Sequence, residues 1–248
     1  MLNDESVLIP FHTSVLPDGP WLIFAPHPDD ETFGMGGSII KAKEQGIDVH
    51  LVILTDGSLG GDPKNLAETR QLEAERVSEI LGIKSLSFWG EPDRALEKNQ
   101  LTIQYACQSI LKISPSTVYF PGLLEIHPDH RTTAFLVWEA LQRVRQQNCY
   151  PEPISYEISV QSPVNMFINT SDQIKKKQQV MDLYASQNIQ NNYSELVLAL
   201  DKGRTFSLPM AVEFAEGFFR YQSKDLDLSL REMAKLVIDL YLLRTDTQ

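Results

Sequence analysis

Short apolar runs alternate with helical periodicity along the first 150 residues of the chain. The apolar runs predict four buried strands, over 21–25, 49–54, 85–89 and 117–120. Between the runs, apolar residues recur at every third or fourth position, which predicts helices over 31–45, 66–81, 101–111 and 128–146. Repeated βα units of this length imply parallel strands joined by right-handed crossovers, with helices on both faces. The pattern therefore predicts an α/β fold, a Rossmann-like three-layer α/β/α arrangement with a mostly parallel sheet.

The pattern changes after Tyr150, where two prolines interrupt the alternation. Beyond that point it predicts edge strands over 154–159 and 166–169, and helices over 172–185, 191–204 and 225–243. The lysines at 175–177 are expected on a solvated helix face. We expect one domain over 1–248, in which a Rossmann-like core of about 18–150 is followed by a C-terminal sheet extension and helical cover over 151–248.

Charge and cysteine content narrow the choice of partners and compartment. The chain of 248 residues has a formal net charge of −11, so its acidic surface argues against nucleic acid and anionic membranes as partners. No apolar stretch approaches the ~18–20 residues of a membrane-spanning helix, and the N-terminus lacks the features of a signal peptide. The two cysteines lie outside any CxxC spacing. We expect a cytoplasmic protein without stable membrane insertion, and its oligomeric state, a homo-oligomer included, stays open.

Two polar clusters follow predicted strands. The first strand runs directly into 27–31 (HPDDE), and the fourth strand runs, after a short loop, into 127–130 (HPDH). These clusters contain three of the five histidines in the chain. In open α/β sheets, ligands bind outside the carboxyl ends of the strands, so both clusters lie where a site is expected.

Zinc accounts for this combination of residue types. A catalytic zinc site uses three nitrogen or carboxylate ligands and leaves one position for water. His27 and Asp30 can point to one ion from a single turn, and His130 is the natural third ligand. The chain is therefore expected to bind one catalytic Zn²⁺, with Fe²⁺ as an alternative, because the affinity order alone does not select the metal.

The remaining groups of the clusters suit hydrolysis of an amide. Asp29 adjoins the ligand Asp30 and can act as general base toward water. His127 lies one helical turn before His130, where it could stabilise a developing oxyanion or donate a proton to the leaving amine. Proline and acidic residues are also common in the first turn of a helix. That simpler interpretation explains the prolines and carboxylates but leaves the three histidines unexplained.

The same residues resemble a known family. The segments 25–31 (APHPDDE), 34–37 (GMGG) and 127–130 (HPDH) are similar to the LmbE-like, or PIG-L, family of zinc-dependent N-deacetylases. The resemblance implies hydrolysis of the N-acetyl group of an N-acetylglucosamine-type conjugate, a small-molecule substrate. It extends from about residue 21 to residue 219, and residues 1–20 and 221–248 match no pattern of the family.

The resemblance also implies roles for individual residues. It assigns the zinc ligands to His27, Asp30 and His130, the general base to Asp29 and the oxyanion stabiliser to His127. Two further positions resemble substrate-binding residues of the family, and these are Arg70 and Asp93. The simpler alternatives are a surface ion pair on its own helix for Arg70 and an ordinary turn residue for Asp93.

We therefore expect a metal-dependent deacetylase of an amino-sugar conjugate. One alternative is a metal-dependent amidase acting on a non-sugar N-acyl substrate, which would use the same site. A second alternative is a metal-binding protein without catalysis, which would require neither Asp29 nor His127. A third, a nucleotide-binding Rossmann domain, requires a glycine fingerprint after the first strand, where this chain has 27–31 (HPDDE).

Overall fold

Seven strands form one sheet in the computed structural model, which describes residues 2–61 and 65–243. The strands are β1 (Trp21–Ala25), β2 (Val49–Thr55), β3 (Ser85–Glu91), β4 (Thr117–Pro121), β5 (Glu152–Tyr156), β6 (Met166–Asn169) and β7 (Ala215–Arg220). Their order across the sheet is β3-β2-β1-β4-β5-β7-β6. Strands β1 to β5 pair in parallel, whereas β7 pairs antiparallel with both β5 and β6. The predicted mostly parallel sheet with a C-terminal extension is confirmed.

Helices cover both faces of this sheet. They are α1 (Glu5–Leu8), α2 (Asp30–Glu44), α3 (Leu66–Leu81), α4 (Gln100–Ile113), α5 (Pro128–Arg145), α6 (Ile174–Met181), α7 (Ala185–Asn188), α8 (Tyr193–Gly203) and α9 (Leu230–Leu242), with 3₁₀ turns at Arg204–Ser207 and Ser223–Asp227. Within the described ranges, no helix combines the length and apolar character that crossing a membrane requires.

Alternate residues of the central strand β1 enter two separate cores. Trp21 and Ile23 pack with apolar residues of α2, α3, α6 and α8 on one face. Leu22 and Phe24 pack with those of α4, α5 and α9 on the other face. Because successive strand residues point to opposite faces, an entirely apolar strand is what a sheet covered on both sides requires. The three-layer α/β/α prediction is confirmed.

The C-terminal part differs from the sequence prediction in its strand positions. The predicted edge strand over 154–159 is wrong, because β5 ends at Tyr156 and lies between β4 and β7 inside the sheet. The strand β7 was not predicted, although it pairs with both of its neighbours. The two edge strands of the sheet are β3, in which every residue is half-buried or exposed, and β6, which agrees with the edge strand predicted over 166–169. Local periodicity misses these assignments because the pairing partners lie far away along the chain.

Two glycines allow α2 to approach the extended part of the sheet. A Cβ atom on Gly34 would lie 2.3 Å from the backbone oxygen of Glu157, and one on Gly37 would lie 2.7 Å from Cγ2 of Thr170. Any larger residue would therefore push the helix away from the sheet. This close contact holds the first turns of α2, which follow the first polar cluster, against the segments that carry Glu157 and Thr170.

Candidate metal centre

The two polar clusters meet because β1 and β4 are neighbours in the sheet. These strands pair in parallel, with Ile23 opposite Tyr119, so their carboxyl ends lie side by side. The ring centroids of His27 and His127 lie 4.6 Å apart, and those of His27 and His130 lie 5.3 Å apart. Two sequence segments about a hundred residues apart thus form one cluster at the edge expected from the sequence.

Asp30 connects the other two predicted metal ligands, His27 and His130. Its Oδ2 atom lies 2.9 Å from Nδ1 of His27 and 3.3 Å from Nε2 of His130. The backbone N–H of His27 also donates to this oxygen, at 2.9 Å. All three side chains are buried, so their contacts exclude solvent. The structure therefore brings His27, Asp30 and His130 into direct contact.

The protonation of this group depends on Asp30. Burial lowers the pKa of His27, but the Asp30 carboxylate and contacts with Asp129 and Asp93 raise that pKa well above its ordinary value. Burial also lowers the pKa of His130, whereas Asp30 raises it to about 9. Burial raises the pKa of Asp30, and the two imidazolium groups hold it well below the usual range. The neighbouring carboxylates thus favour the protonated imidazoles, and a divalent cation could replace these protons.

More donor atoms surround this cluster than the three predicted ligands. Donor nitrogens of His27, His127 and His130 lie within 4.8 Å of one another, as do donor atoms of His27, Asp93, His127 and Asp129. Oδ1 of Asp93 is buried, has no hydrogen-bond partner among the described residues, and lies 3.3 Å from Nε2 of His27. Imidazole nitrogen and carboxylate oxygen suit zinc and other first-row divalent ions. The residues present therefore fit a divalent metal.

Asp29 occupies a strained position immediately before α2. Its φ of 132° lies in the region that favours glycine, and strain of this kind is concentrated at functional sites. Its side chain is buried, and Oδ2 accepts a hydrogen bond of 3.0 Å from Nη2 of Arg70. Burial raises the pKa of Asp29 to about 7, and the Arg70 guanidinium opposes this rise. Asp29 is thus a buried acid held next to the cluster of predicted metal ligands.

Arg70 projects from α3 toward the loop that carries Asp29. It is only 3% exposed, so the predicted alternative of a surface ion pair on its own helix is wrong. Nη2 also donates to the carbonyl of Pro28 at 2.9 Å, and Nη1 donates to the carbonyl of Gly57 at 3.0 Å. These bonds fix the backbone before Asp29 as well as its carboxylate. Arg70 also lines the cavity described below.

Asp93 lies in a turn after β3 and also contributes to the site. Its Oδ2 atom accepts from the backbone N–H of Leu59 at 3.0 Å, which ties two loops together. Burial raises the pKa of Asp93, but the neighbouring His27 lowers it to about 2. Asp93 is therefore a turn residue that also belongs to the candidate site.

His127 begins α5 and caps it. Its Nδ1 atom accepts a hydrogen bond of 3.3 Å from the backbone N–H of Asp129. Since Nδ1 acts as acceptor, the proton of the neutral ring belongs on Nε2, by inference from this bond. Burial and the cationic His27 and His130 lower the pKa of His127 to about 4. The side chain thus presents a neutral N–H donor.

Two acidic residues that the sequence prediction did not assign support the histidines. Oε2 of Glu125 lies 3.3 Å from Nδ1 of His130, while Oε1 accepts from the backbone N–H of Ile158 at 2.7 Å. Oδ2 of Asp129 lies 3.2 Å from Nε2 of His27 and accepts from the backbone N–H of Arg94 at 2.7 Å. Partners of this kind orient ligating imidazoles. Asp129 was visible within 127–130 (HPDH), whereas nothing in the local pattern distinguishes Glu125.

A cavity of about 700 Å³ opens above the cluster. His27, Asp29, Asp30, His127 and His130 all line it. Apolar residues line it as well, four of them from α8. A volume of this size is within the range of pockets that hold small-molecule ligands.

Comparisons with known proteins agree with this geometry. Residues 22–141 match the model of the family described as PIG-L: GlcNAc-PI de-N-acetylase. The chain is 28% identical over 223 residues to a probable N-acetyl-alpha-D-glucosaminyl L-malate deacetylase 2 of Bacillus anthracis, covering 82% of this chain and 96% of that protein. It is 38% identical over 128 residues to a diacetylchitobiose deacetylase of Thermococcus kodakarensis, covering 48% of each protein.

The fold is shared with a solved structure of similar size. The N,N'-diacetylchitobiose deacetylase from Pyrococcus horikoshii superposes with a TM-score of 0.76 at 23% identity, covering 85% of this chain and 86% of that one. At this level of identity the likeness shows the fold. The family match and the relatives lead to one conclusion: residues 22–141 of the chain are a PIG-L (LmbE-like) family domain, and the family and its matched relatives are deacetylases, hydrolases that act on amide bonds.

Proposed function

We propose that this chain removes the acetyl group from an N-acetylglucosamine-type conjugate, with one divalent ion held by His27, Asp30 and His130. The observation that carries the proposal is the contact of one Asp30 oxygen with both imidazoles, beside a strained, buried Asp29. The ion is Zn²⁺, with Fe²⁺ as the alternative, since nitrogen and carboxylate donors suit both. When bound, the ion would polarise the substrate carbonyl and lower the pKa of a bound water from ~15.7 toward ~7.

Asp29 is the proposed general base. Its carboxylate adjoins the ligand Asp30, and the hydrogen bond from Arg70 holds it in one orientation. From this position Asp29 accepts a proton from the attacking water and returns it to the leaving amine. Arg70 is then a positioning residue, because it acts through Asp29 and through the carbonyl of Pro28.

His127 is the proposed oxyanion donor. Its Nδ1 atom is engaged by the backbone N–H of Asp129, which leaves Nε2–H to donate to the oxygen on which negative charge develops. Asp93 is proposed to contact the sugar, because this residue lines the cavity and its Oδ1 atom has no hydrogen-bond partner among the described residues. A carboxylate there can accept a bond from a sugar hydroxyl.

The relatives favour a sugar substrate over a general amide. Both the Bacillus anthracis and the Thermococcus kodakarensis proteins are named for deacetylation of N-acetylated amino sugars. An amidase acting on a non-sugar N-acyl substrate would use the same metal, base and oxyanion donor. The substrate therefore has to be separated from the reaction by experiment.

The test is release of acetate from matched substrates. The purified protein, loaded with zinc or with Fe²⁺ under anaerobic conditions, is incubated with N-acetylglucosamine, diacetylchitobiose, an N-acetylglucosaminyl malate and an N-acetylated amino acid. We expect acetate from the sugars, its loss with a chelator and its recovery when metal is restored. Acetate from the amino acid alone would replace the sugar with a non-sugar substrate, and release that is insensitive to chelation would contradict the metal.

A further inference from the structure

The cavity above the predicted metal ligands is lined by two chemically unlike groups of residues. One group, called the floor here, consists of the acids and histidines already described. The other group, called the apolar wall here, consists of Phe33, Ile158, Tyr193, Leu196, Val197 and Leu200. The catalytic groups explain the floor, but an acetyl group with a single methyl is too small to need such a wall.

Helix α8 supplies most of the apolar wall. Tyr193, Leu196, Val197 and Leu200 follow the i, i+3, i+4, i+7 spacing that places side chains on one helix face. Within this fully described helix, the charged residues stay out of the cavity lining; they are Glu195, Asp201 and Lys202. The helix therefore presents an uncharged face to the cavity.

This face is incompletely covered by the protein. Leu196 is 48% exposed and Tyr193 is 36% exposed, although both line the cavity. Exposed apolar side chains grouped in one concave surface are typical of a ligand-binding groove. The Tyr193 ring stacks on the ring of Phe33, with the ring centroids 6.0 Å apart and an angle of 28° between the planes.

The wall is held in place by buried polar contacts behind it. Nζ of Lys177, which is fully buried, lies 2.7 Å from Oδ2 of Asp201 on α8 and 2.8 Å from Oε1 of Glu216 on β7. Val197, on the same helix, is buried in the core. A helix anchored in this way offers a preformed surface, so little ordering of the protein is needed when a ligand binds.

We propose that the apolar wall binds an uncharged alkyl or aryl substituent attached to the amino sugar. The inference rests on the proposed function, because only an acetyl substrate leaves the wall to another part of the molecule. Burying a carboxylate against this surface without a partner would be costly, so an anionic substituent is disfavoured. The exposed Arg94, which also lines the cavity, is the competing feature, since it would favour an anionic conjugate.

The test compares kcat/KM for N-acetylglucosamine, its hexyl glycoside and N-acetylglucosaminyl malate, with the metal-loaded protein. We expect the hexyl glycoside to be at least about tenfold better than the free sugar, mainly through KM, as apolar pockets discriminate by such factors. Leu196→Ser should lower the ratio of kcat/KM for the hexyl glycoside to kcat/KM for the free sugar about tenfold. The matched control is Leu236→Ser, at a leucine of α9 that is 50% exposed outside the cavity lining, and it should leave this ratio unchanged.

Other outcomes overturn the inference. Equal kcat/KM for the hexyl glycoside and the free sugar, or preference for the malate conjugate, would contradict an apolar substituent. Faster hydrolysis of N-hexanoylglucosamine than of the hexyl glycoside would assign the wall to the acyl chain instead. If no substrate releases acetate or hexanoate, the proposed function fails separately, and binding of the hexyl glycoside measured by calorimetry decides the inference. Binding that Leu196→Ser weakens would support the inference. Binding that Leu196→Ser leaves unchanged, or no binding to the parent protein, would refute it.

Discussion

Replacing Arg70 by lysine separates a positioning role from a substrate contact. The lysine keeps the positive charge but cannot reproduce the planar fork that reaches Gly57, Pro28 and Asp29 together. The competing role of Arg70 is a direct contact with the substrate. Its Nε atom has no hydrogen-bond partner among the described residues, so it could serve that role. The two roles predict different kinetic changes.

The magnitude follows from the single bond to the base. A hydrogen bond to a charged group contributes about 1.5–3 kcal/mol. If Arg70→Lys loses the 3.0 Å bond that orients Asp29, the transition state loses that amount and the substrate complex does not. At about 1.36 kcal/mol per factor of ten, kcat should fall roughly 10- to 150-fold while KM stays nearly constant.

The assay is steady-state acetate release with N-acetylglucosamine conjugates, with metal content and unfolding measured on the same preparation. Arg76→Lys, at an exposed position of the same helix, is the control and should behave like the parent protein. A variant that binds metal normally and shows raised KM with unchanged kcat would refute the positioning role. It would restore the substrate contact expected from the sequence.

Three further changes test other parts of the structure. Asp29→Asn should keep the metal, measured by elemental analysis, and lower kcat by about 10²–10⁴-fold, the usual contribution of a general base; parent-like activity would contradict its role. Lys177→Met should lower the free energy of unfolding by about 3–5 kcal/mol, because it leaves buried carboxylates unpaired, whereas Lys175→Met at an exposed site should change it little. Burial raises the pKa of Tyr221 from 10.0 to about 12, so its contribution to stability is fully present below pH 10 and is lost as the pH rises toward 12. Tyr221→Phe should remove this part of the decline in the free energy of unfolding, which denaturant unfolding at about pH 9 and pH 11 would show. An equal fall in the free energy of unfolding between these pH values in both proteins would contradict the prediction.

The central strands and the cluster of His27, Asp30 and His130 were predictable because their signals are local. The strand β1 is continuously apolar and is followed at once by its polar cluster, and β4 leads to the second cluster after a short loop. Adjacency of parallel strands then brings His27 and His130 together, as the rule for carboxyl ends predicts. Each step uses neighbours in the sequence and one general property of α/β sheets.

Buried charges were not predictable, because their partners lie far away in the sequence. Lys177 was expected on a solvated face, yet it is fully buried against acids of α8 and β7. On α3, the apolar Leu72 is 59% exposed, while Arg70 occupies the buried face with Ala74. A charged residue in a sequence predicts an exposed position, and only knowledge of its counter-charge would predict burial.

The most direct measurement of the central claim is the position of the ion in a crystal grown with zinc. Anomalous diffraction at the zinc edge should give one peak at about 2.0–2.2 Å from ligand atoms of His27, Asp30 and His130. A peak bound instead by Asp93 and Asp129, or no peak at the ends of β1 and β4, would contradict the account.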